Sequence, residues 1–209
     1  MYKIKKIDCP AALGVKEKED LVGELTKIAR NAFGTKVTEE DVRNHIIPVS
    51  TMILAELIET GKTVGFATTS HYCFEDFSAI YLVGTCVLRE YQGNGIFSDL
   101  LESAVEAECQ KTQKPEIFVT RTQSPVLYAG IKKLIGDCQD ERFRTVGENF
   151  AHMFGGELTE DFVMKKAYGL QMYDVIPRSK NEKDNELFDG LLDYKRGDAI
   201  VVVGKLKKI

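Results

Sequence analysis

The sequence predicts an α/β fold: a single domain with a mixed, mostly antiparallel central sheet flanked by helices. Of the 209 residues, 44% are apolar and 29% are charged, which is usual for a globular chain that buries one core. Segments with strand patterns alternate with segments of helical apolar spacing. We expect a core over about residues 1–136 and a C-terminal extension over about 137–209 that completes the sheet.

The N-terminal part predicts one strand and two helices. "MYKIKKI" is typical of a short strand, and residues 19–33 place apolar side chains on one helical face before Gly34 stops the helix. Thr38 is a good N-cap for a second short helix, because acidic residues follow in its first turn and Pro48 ends it.

The next segments predict a meander of three strands. "STMILAELIET" and "TVGFATTSHYC" are rich in β-forming residues and are joined by "ETGK", which indicates a hairpin. "SAIYLVGTCVL", residues 78–88, is apolar on both faces, as expected of a central strand.

Beyond "QGNG" the apolar period becomes helical. A strand, "PEIFVTRT", and a helix with Ser124 as N-cap and Pro125 in its first turn then follow. The remaining segments predict short helices in "TVGENFAHMF" and "TEDFVMKKA", a strand in "GLQMYDVI", a helix in "NELFDGLLDY" and a closing strand in "DAIVVVGKL".

Charge and cysteine content restrict the function classes. The net charge is -4 and no long basic run occurs, which argues against a nucleic-acid partner. Five cysteines without a CxxC pair predict reduced, mostly buried thiols, no metal site and a cytoplasmic protein. No apolar run has the length of a signal-peptide core or a membrane span, so we expect no membrane partner.

The "QGNG" turn has two interpretations. Asn-Gly between strands is a strong hairpin signal, but the residues after Gly95 have helical spacing. Glycines at a helix N-terminus let an anion approach unpaired backbone N–H groups, and phosphate is the usual ligand there. A P-loop would need a terminal GK[ST], and a dinucleotide fingerprint would need a third glycine; both are missing.

The segment "CVLREYQGNGIFSDLL" resembles the acetyl-coenzyme A (acetyl-CoA) loop of the GNAT superfamily of N-acetyltransferases. That pattern is Arg or Gln, two residues, Gly, one residue, then Gly or Ala. Gln92 and Gly95 match it, Phe97 departs from the last small position, and Val87 matches the hydrophobic position before the loop. The order of elements over residues 2–135 also resembles the family fold.

The resemblance implies a cofactor site with acetyl-CoA as co-substrate. Pantetheine would bond the backbone near Cys86 and Val87, and the Ser98 hydroxyl would assist the pyrophosphate. The backbone N–H groups that would hold the pyrophosphate belong to Gln92, Gly93, Asn94, Gly95, Ile96 and Phe97.

The resemblance also implies a proton donor for the leaving thiolate. Tyr128 in "SPVLY" matches the family's tyrosine, although Arg121 stands where Asn is frequent and Lys132 and Lys133 replace the usual Gly-Phe. The alternative for Tyr128 is a packing tyrosine.

No general base is assigned. Glu56, Glu59, Glu75 and Asp76 fit a solvated surface, and His71 fits an ordinary loop histidine. For Cys86, a buried structural thiol is favoured over an acyl-cysteine, and Arg89, Lys132 and Lys133 are candidates for the 3′-phosphate.

The expected function is transfer of acetyl from acetyl-CoA to a primary amine on a small molecule or peptide, by direct attack in a ternary complex. Two alternatives remain open: a CoA-binding module without catalysis, and an α/β interaction protein without CoA. Residues 19–48 and the tail would set the acceptor, and the tail could also cover a homodimer interface.

Overall fold

The computed structural model describes residues 1–74, 77–111, 114–136, 138 and 140–207. The chain folds into two compact units, Met1–Pro115 and Glu116–Ile209. The sequence expectation of one domain with a boundary near residue 136 stays a prediction.

The strands of the first unit form an antiparallel meander in the order β1-β2-β3-β4. They are β1 (Tyr2–Asp8), β2 (Thr51–Leu57), β3 (Thr63–Cys73) and β4 (Ser78–Val87). The predicted strand and hairpin are therefore confirmed. The interiors of β2 and β3 are buried almost throughout, because helices pack on the meander.

The helices of the first unit are α1 (Val15–Phe33), α2 (Glu39–Ile46) and α3 (Ile96–Cys109). Gly34 ends α1 with φ of 128°, and the Thr38 hydroxyl caps α2 by accepting from the Asp41 N–H, as predicted. The Thr68 hydroxyl donates to the His45 carbonyl of α2, whereas the hydroxyl of the next residue, Thr69, donates to Glu108 of α3. Since successive strand residues point to opposite faces, α2 and α3 cover opposite faces of the meander.

The second unit contains antiparallel strands in the order β5-β7-β6 and three helices. Its elements are β5 (Ile117–Thr122), α4 (Pro125–Leu134), α5 (Arg144–Met153), β6 (Val163–Met164), α6 (Glu182–Leu191) and β7 (Ala199–Lys205). Ser124 caps α4 by accepting from the Leu127 N–H, as predicted. Helices packed on mostly antiparallel strands confirm the predicted fold class.

Two predictions for the second unit are wrong. "TEDFVMKKA" is not a helix: it holds the short strand β6, and Phe162 and Lys166 have left-handed φ values of 57° and 55°, which a right-handed helix excludes. "GLQMYDVI" is not a strand: its apolar residues Leu170 and Val175 are 44% and 76% exposed, and no ladder includes them among the described residues.

The cysteines also depart from expectation. All five are free thiols, but only Cys86 is buried; Cys9 and Cys73 are exposed, and Cys109 and Cys138 lie between these extremes. Within the described residues, none of the helices combines the length and the apolar character that a membrane crossing requires.

Candidate functional site

The glycine turn connects a strand to a helix. After β4 ends at Val87, a 3-10 helix spans Arg89–Tyr91, an exposed turn covers residues 92–95, and α3 begins at Ile96. Because Asn94-Gly95 leads into a helix, the hairpin interpretation is wrong.

Both glycines of the turn adopt a conformation that suits glycine. Gly93 and Gly95 each have φ of 81°, which an L-residue adopts at a cost of about 1–2 kcal/mol. A Cβ added to either would meet no atom within 4 Å. Neither glycine is therefore required by packing: the backbone conformation requires them, and the space beside them is open.

The backbone N–H groups of residues 93–98 point to no acceptor among the described residues. The first helical bond of α3 runs from the Asp99 N–H to the Gly95 carbonyl at 3.1 Å. The preceding amides are the unpaired donors of a helix N-terminus, where the macrodipole is positive. The arrangement can bind an anionic group such as a phosphate.

Side chains hold this loop from within and from α1. Gln92 Nε2 donates to the Val87 carbonyl at 2.9 Å, and Asn94 Nδ2 donates to the Tyr91 carbonyl at 3.2 Å. The Arg89 N–H donates to Asn31 Oδ1 at 2.8 Å. Ile96, 2% exposed, anchors the start of α3 in the core.

The first turn of α3 presents mixed chemistry to solvent. Phe97 and Ser98 are half-buried. Asp99 is exposed, and the Tyr2 hydroxyl donates to its Oδ2 at 2.5 Å. This bond raises the pKa of Tyr2 to about 12, with smaller effects from burial and from the Asp99 charge.

The strand before the loop is buried at its ends and half-exposed at its centre. Cys86 and Val87 are each 6% exposed, and burial raises the pKa of the Cys86 thiol far above its ordinary value. Such a thiol stays protonated, as expected of a structural cysteine rather than a nucleophile. A register shift opposite Thr68 and Thr69 leaves Val83 without a direct partner on β3, and residues 83–85 are half-exposed.

Tyr128 lies in the second unit, on α4. It is 6% exposed, and its ring meets the Phe188 ring edge-on, with centroids 5.5 Å apart. Lys132 Nζ lies 4.7 Å from the Tyr128 ring centroid and pairs with Asp184. Burial, together with Cys138 and Asp184, raises the pKa of Tyr128 to about 12. Its phenol is therefore protonated at neutral pH and has a proton to donate.

Arg121 and Lys132, also in the second unit, each interact with residues close to them in space. The Arg121 guanidinium lies 4.2 Å from the centroid of the Phe154 ring and donates to the Ala167 carbonyl at 3.1 Å. Lys132 is held by Asp184, so its charge is already compensated. Arg89, in the first unit, is exposed beside the glycine loop.

The candidate bases have varied surroundings. Glu59 is exposed as expected, but the Glu56 side chain is only 11% exposed and pairs with Lys3 and Lys5 at 3.4 and 3.0 Å. His71 lies within β3, not in a loop. Glu75 and Asp76 lie outside the described residues.

A buried polar cluster at the far end of α3 was missed from the sequence. The Glu108 side chain is 0% exposed; it accepts from Thr69 Oγ1 at 2.8 Å, and its other oxygen lies 2.8 Å from Lys111 Nζ. His71 Nδ1 is 3.6 Å from the same oxygen. Glu108 lies on the buried face of α3 although it is not apolar. The apolar periodicity of the sequence therefore did not reveal this cluster. The described residues contain no group of three side chains suited to a metal.

Comparisons with known proteins rest on structure. By sequence, no family model and no curated protein matches the chain. The ribosomal-protein-S18-alanine N-acetyltransferase of Escherichia coli aligns over 99% of this chain and 96% of its own, with 12% identity and a TM-score of 0.50. The NatC complex bound to Gag peptide and CoA aligns over 98% of this chain and 99% of its own, with 13% identity and a TM-score of 0.50.

A GNAT-family acetyltransferase from Streptococcus pneumoniae aligns over 99% of this chain and 100% of its own, with 14% identity and a TM-score of 0.48. At such identities the two alignments with a TM-score of 0.50 show the fold alone. The chain therefore has the fold of the GNAT superfamily of N-acetyltransferases, the family whose cofactor loop its sequence resembles.

Proposed function

We propose that this protein is an acetyl-CoA-dependent N-acetyltransferase that acts on a primary amine in a ternary complex. One observation carries the proposal: six consecutive backbone amides, residues 93–98, lie without acceptors among the described residues beside two left-handed glycines at the N-terminus of α3. This donor set suits a pyrophosphate. The fold adds support, because the two solved structures at a TM-score of 0.50 are N-acetyltransferases or contain CoA.

The roles within the cofactor site follow from the chemistry of each group. The amides of residues 93–97 bind the pyrophosphate, and the half-exposed Ser98 hydroxyl adds one donor. The Gln92 N–H was expected among these donors, but it donates to the Arg89 carbonyl at 3.2 Å. Pantetheine forms hydrogen bonds with the backbone near Cys86 and Val87. The side chains of these two residues take no part in the reaction. Most of the rate enhancement comes from holding the thioester beside the amine.

The reaction forms a C–N bond and breaks a C–S bond. The lone pair of the neutral amine attacks the thioester carbonyl, and the tetrahedral intermediate collapses with expulsion of the CoA thiolate. Tyr128 gives its phenolic proton to that thiolate and recovers one from solvent. The attacking nitrogen loses its proton to water, since no side chain is assigned as base.

The acceptor is a small-molecule or peptide amine. The net charge of -4 favours a cationic acceptor. The NatC structure contains a bound peptide, which supports a peptide N-terminus as one acceptor class. A homodimer and a cytoplasmic location stay predictions.

Calorimetric titration with CoA, acetyl-CoA and NAD tests the proposal. Micromolar binding of the first two but not NAD is expected, followed by thiol release with a matching amine. Because Cys9 and Cys73 are exposed, thiol release is measured against enzyme without amine. Binding without turnover across an amine panel would favour the non-catalytic module. No CoA binding by folded protein would favour the interaction protein. Gly95→Trp should abolish binding in the first two cases and only destabilise the fold in the third.

A further inference from the structure

We infer that Asn31 is a positioning residue for the cofactor loop, and that the last turn of α1 links this loop to the connection between α1 and α2. The inference rests on the proposed function, because it concerns the same loop.

The Asn31 side chain accepts a hydrogen bond from the first backbone N–H beyond the ladder of β3 and β4. The Leu88 N–H still donates to the Val64 carbonyl of β3 at 2.9 Å. The next N–H, that of Arg89, donates to Asn31 Oδ1 at 2.8 Å, and no other acceptor for it occurs in the described part of the chain. Asn31 stands 58 residues earlier in the chain, so this contact is tertiary.

The peptide groups at the start of the loop are thereby fixed. The Arg89 N–H is held by Asn31, and the Arg89 carbonyl accepts from the Gln92 N–H at 3.2 Å. Gly93 and Gly95 have no side chain and impose little restraint of their own. The direction in which the loop amides point therefore depends on how the ends of the loop are fixed. Asn31, which is not part of the loop, fixes one end through its hydrogen bond with Arg89.

The neighbouring residue of α1 holds a second segment. Arg30 Nε donates to the Val37 carbonyl at 2.8 Å, across the connection of residues 34–38. Under the proposed function, residues 19–48 contribute the acceptor site. One helical turn thus contacts both the cofactor loop and the acceptor segment. Binding of CoA should stiffen the connection through Asn31.

Calorimetry and amide hydrogen exchange test the inference with three variants. Asn31→Ala removes the acceptor atom. Asn31→Asp keeps an acceptor, and 0.5 M salt screens its added charge. Gln110→Ala is the control, since it removes an exposed side-chain amide at the far end of α3, outside residues 19–48 and outside the tail.

We expect Asn31→Ala to bind CoA about threefold to tenfold more weakly, as for loss of one hydrogen bond. Asn31→Asp in 0.5 M salt should bind within about twofold of the wild type in the same salt, and Gln110→Ala should match the wild type. CoA should slow exchange at residues 34–38 in the wild type but not in Asn31→Ala.

If wild type binds CoA and Asn31→Ala binds it equally well, the inference is wrong while the proposed function stands. Equal weakening by Asn31→Ala and Asn31→Asp would also overturn it, because the acceptor atom would then be irrelevant. If the wild type does not bind CoA, the proposed function fails and the inference with it.

Discussion

Replacing Gly95 with alanine separates the backbone requirement of the loop from its role in binding. Gly95 has φ of 81° with open space beside it. Gly61, in the turn between β2 and β3, has φ of 68° and equally open surroundings, so Gly61→Ala is the matched control. Both variants should lower the free energy of unfolding by about 1–2 kcal/mol, the cost of a left-handed alanine.

The two variants should differ in CoA binding. The methyl group added at position 95 would occupy the open space proposed for the pyrophosphate, whereas the methyl group added at position 61 would lie on an unrelated turn. Losing one charge-assisted hydrogen bond costs about 1.5–3 kcal/mol, so Gly95→Ala should weaken binding about 10-fold to 100-fold. Gly61→Ala should bind within about twofold of the wild type.

Calorimetry measures the affinity and thermal unfolding measures the stability. Both variants should melt about 2–8 °C lower, as that stability loss predicts for a chain of this size. If Gly95→Ala binds CoA as tightly as Gly61→Ala, the amides of the loop do not hold the phosphate, and the site assignment is wrong.

Three further substitutions have expected outcomes. Tyr128→Phe keeps the ring packing but removes the proton donor, so thiol release should fall about 100-fold with the CoA affinity unchanged; a loss below threefold would contradict the assigned role. Tyr2→Phe frees the Asp99 carboxylate beside the anion site and should weaken CoA binding about twofold to fivefold at low salt, and adding Asp99→Asn should restore it; weakening that persists in the double variant would disprove the electrostatic explanation. Glu108→Ala should cost about 3 kcal/mol in denaturant unfolding, against about 0.5 kcal/mol or less for the exposed neighbour in Glu106→Ala; equal costs would show that the buried cluster contributes nothing.

The sequence was most informative where structure is local. The N-caps Thr38 and Ser124 and the period change after Gly95 depend on neighbouring residues, and the structure has them as predicted. Strand β6 was missed because it has only two residues and its ladder with β7 joins positions more than 30 residues apart; its other pairing is a single bridge between Met164 and Leu158. Phe162 and Lys166, whose left-handed φ values prevent a helix there, are hydrogen-bonded through their backbone to Val201 and Asp198, which are distant in sequence.

The candidate site divides in the same way. The loop is continuous in sequence, so its glycines and its position before a helix could be recognised directly. The contacts of Asn31 with Arg89 and of Tyr2 with Asp99 join residues 58 and 97 positions apart. No periodicity connects such positions, so these supports of the loop appear only in three dimensions.

A receptor formed by main-chain amides has a consequence for how this protein can vary. Any residue other than proline that permits the backbone path donates the same N–H, so such substitutions around the loop preserve the donors as long as Gly93 and Gly95 keep their left-handed turns. The function then leaves little trace in side-chain identity. A site of this kind, as proposed, is compatible with a fold that aligns along nearly the whole chain at 12–13% identity while no family model matches the sequence. It also means that an alanine scan would remove none of these amide donors, and would affect the loop through its two glycines and through supports such as Asn31.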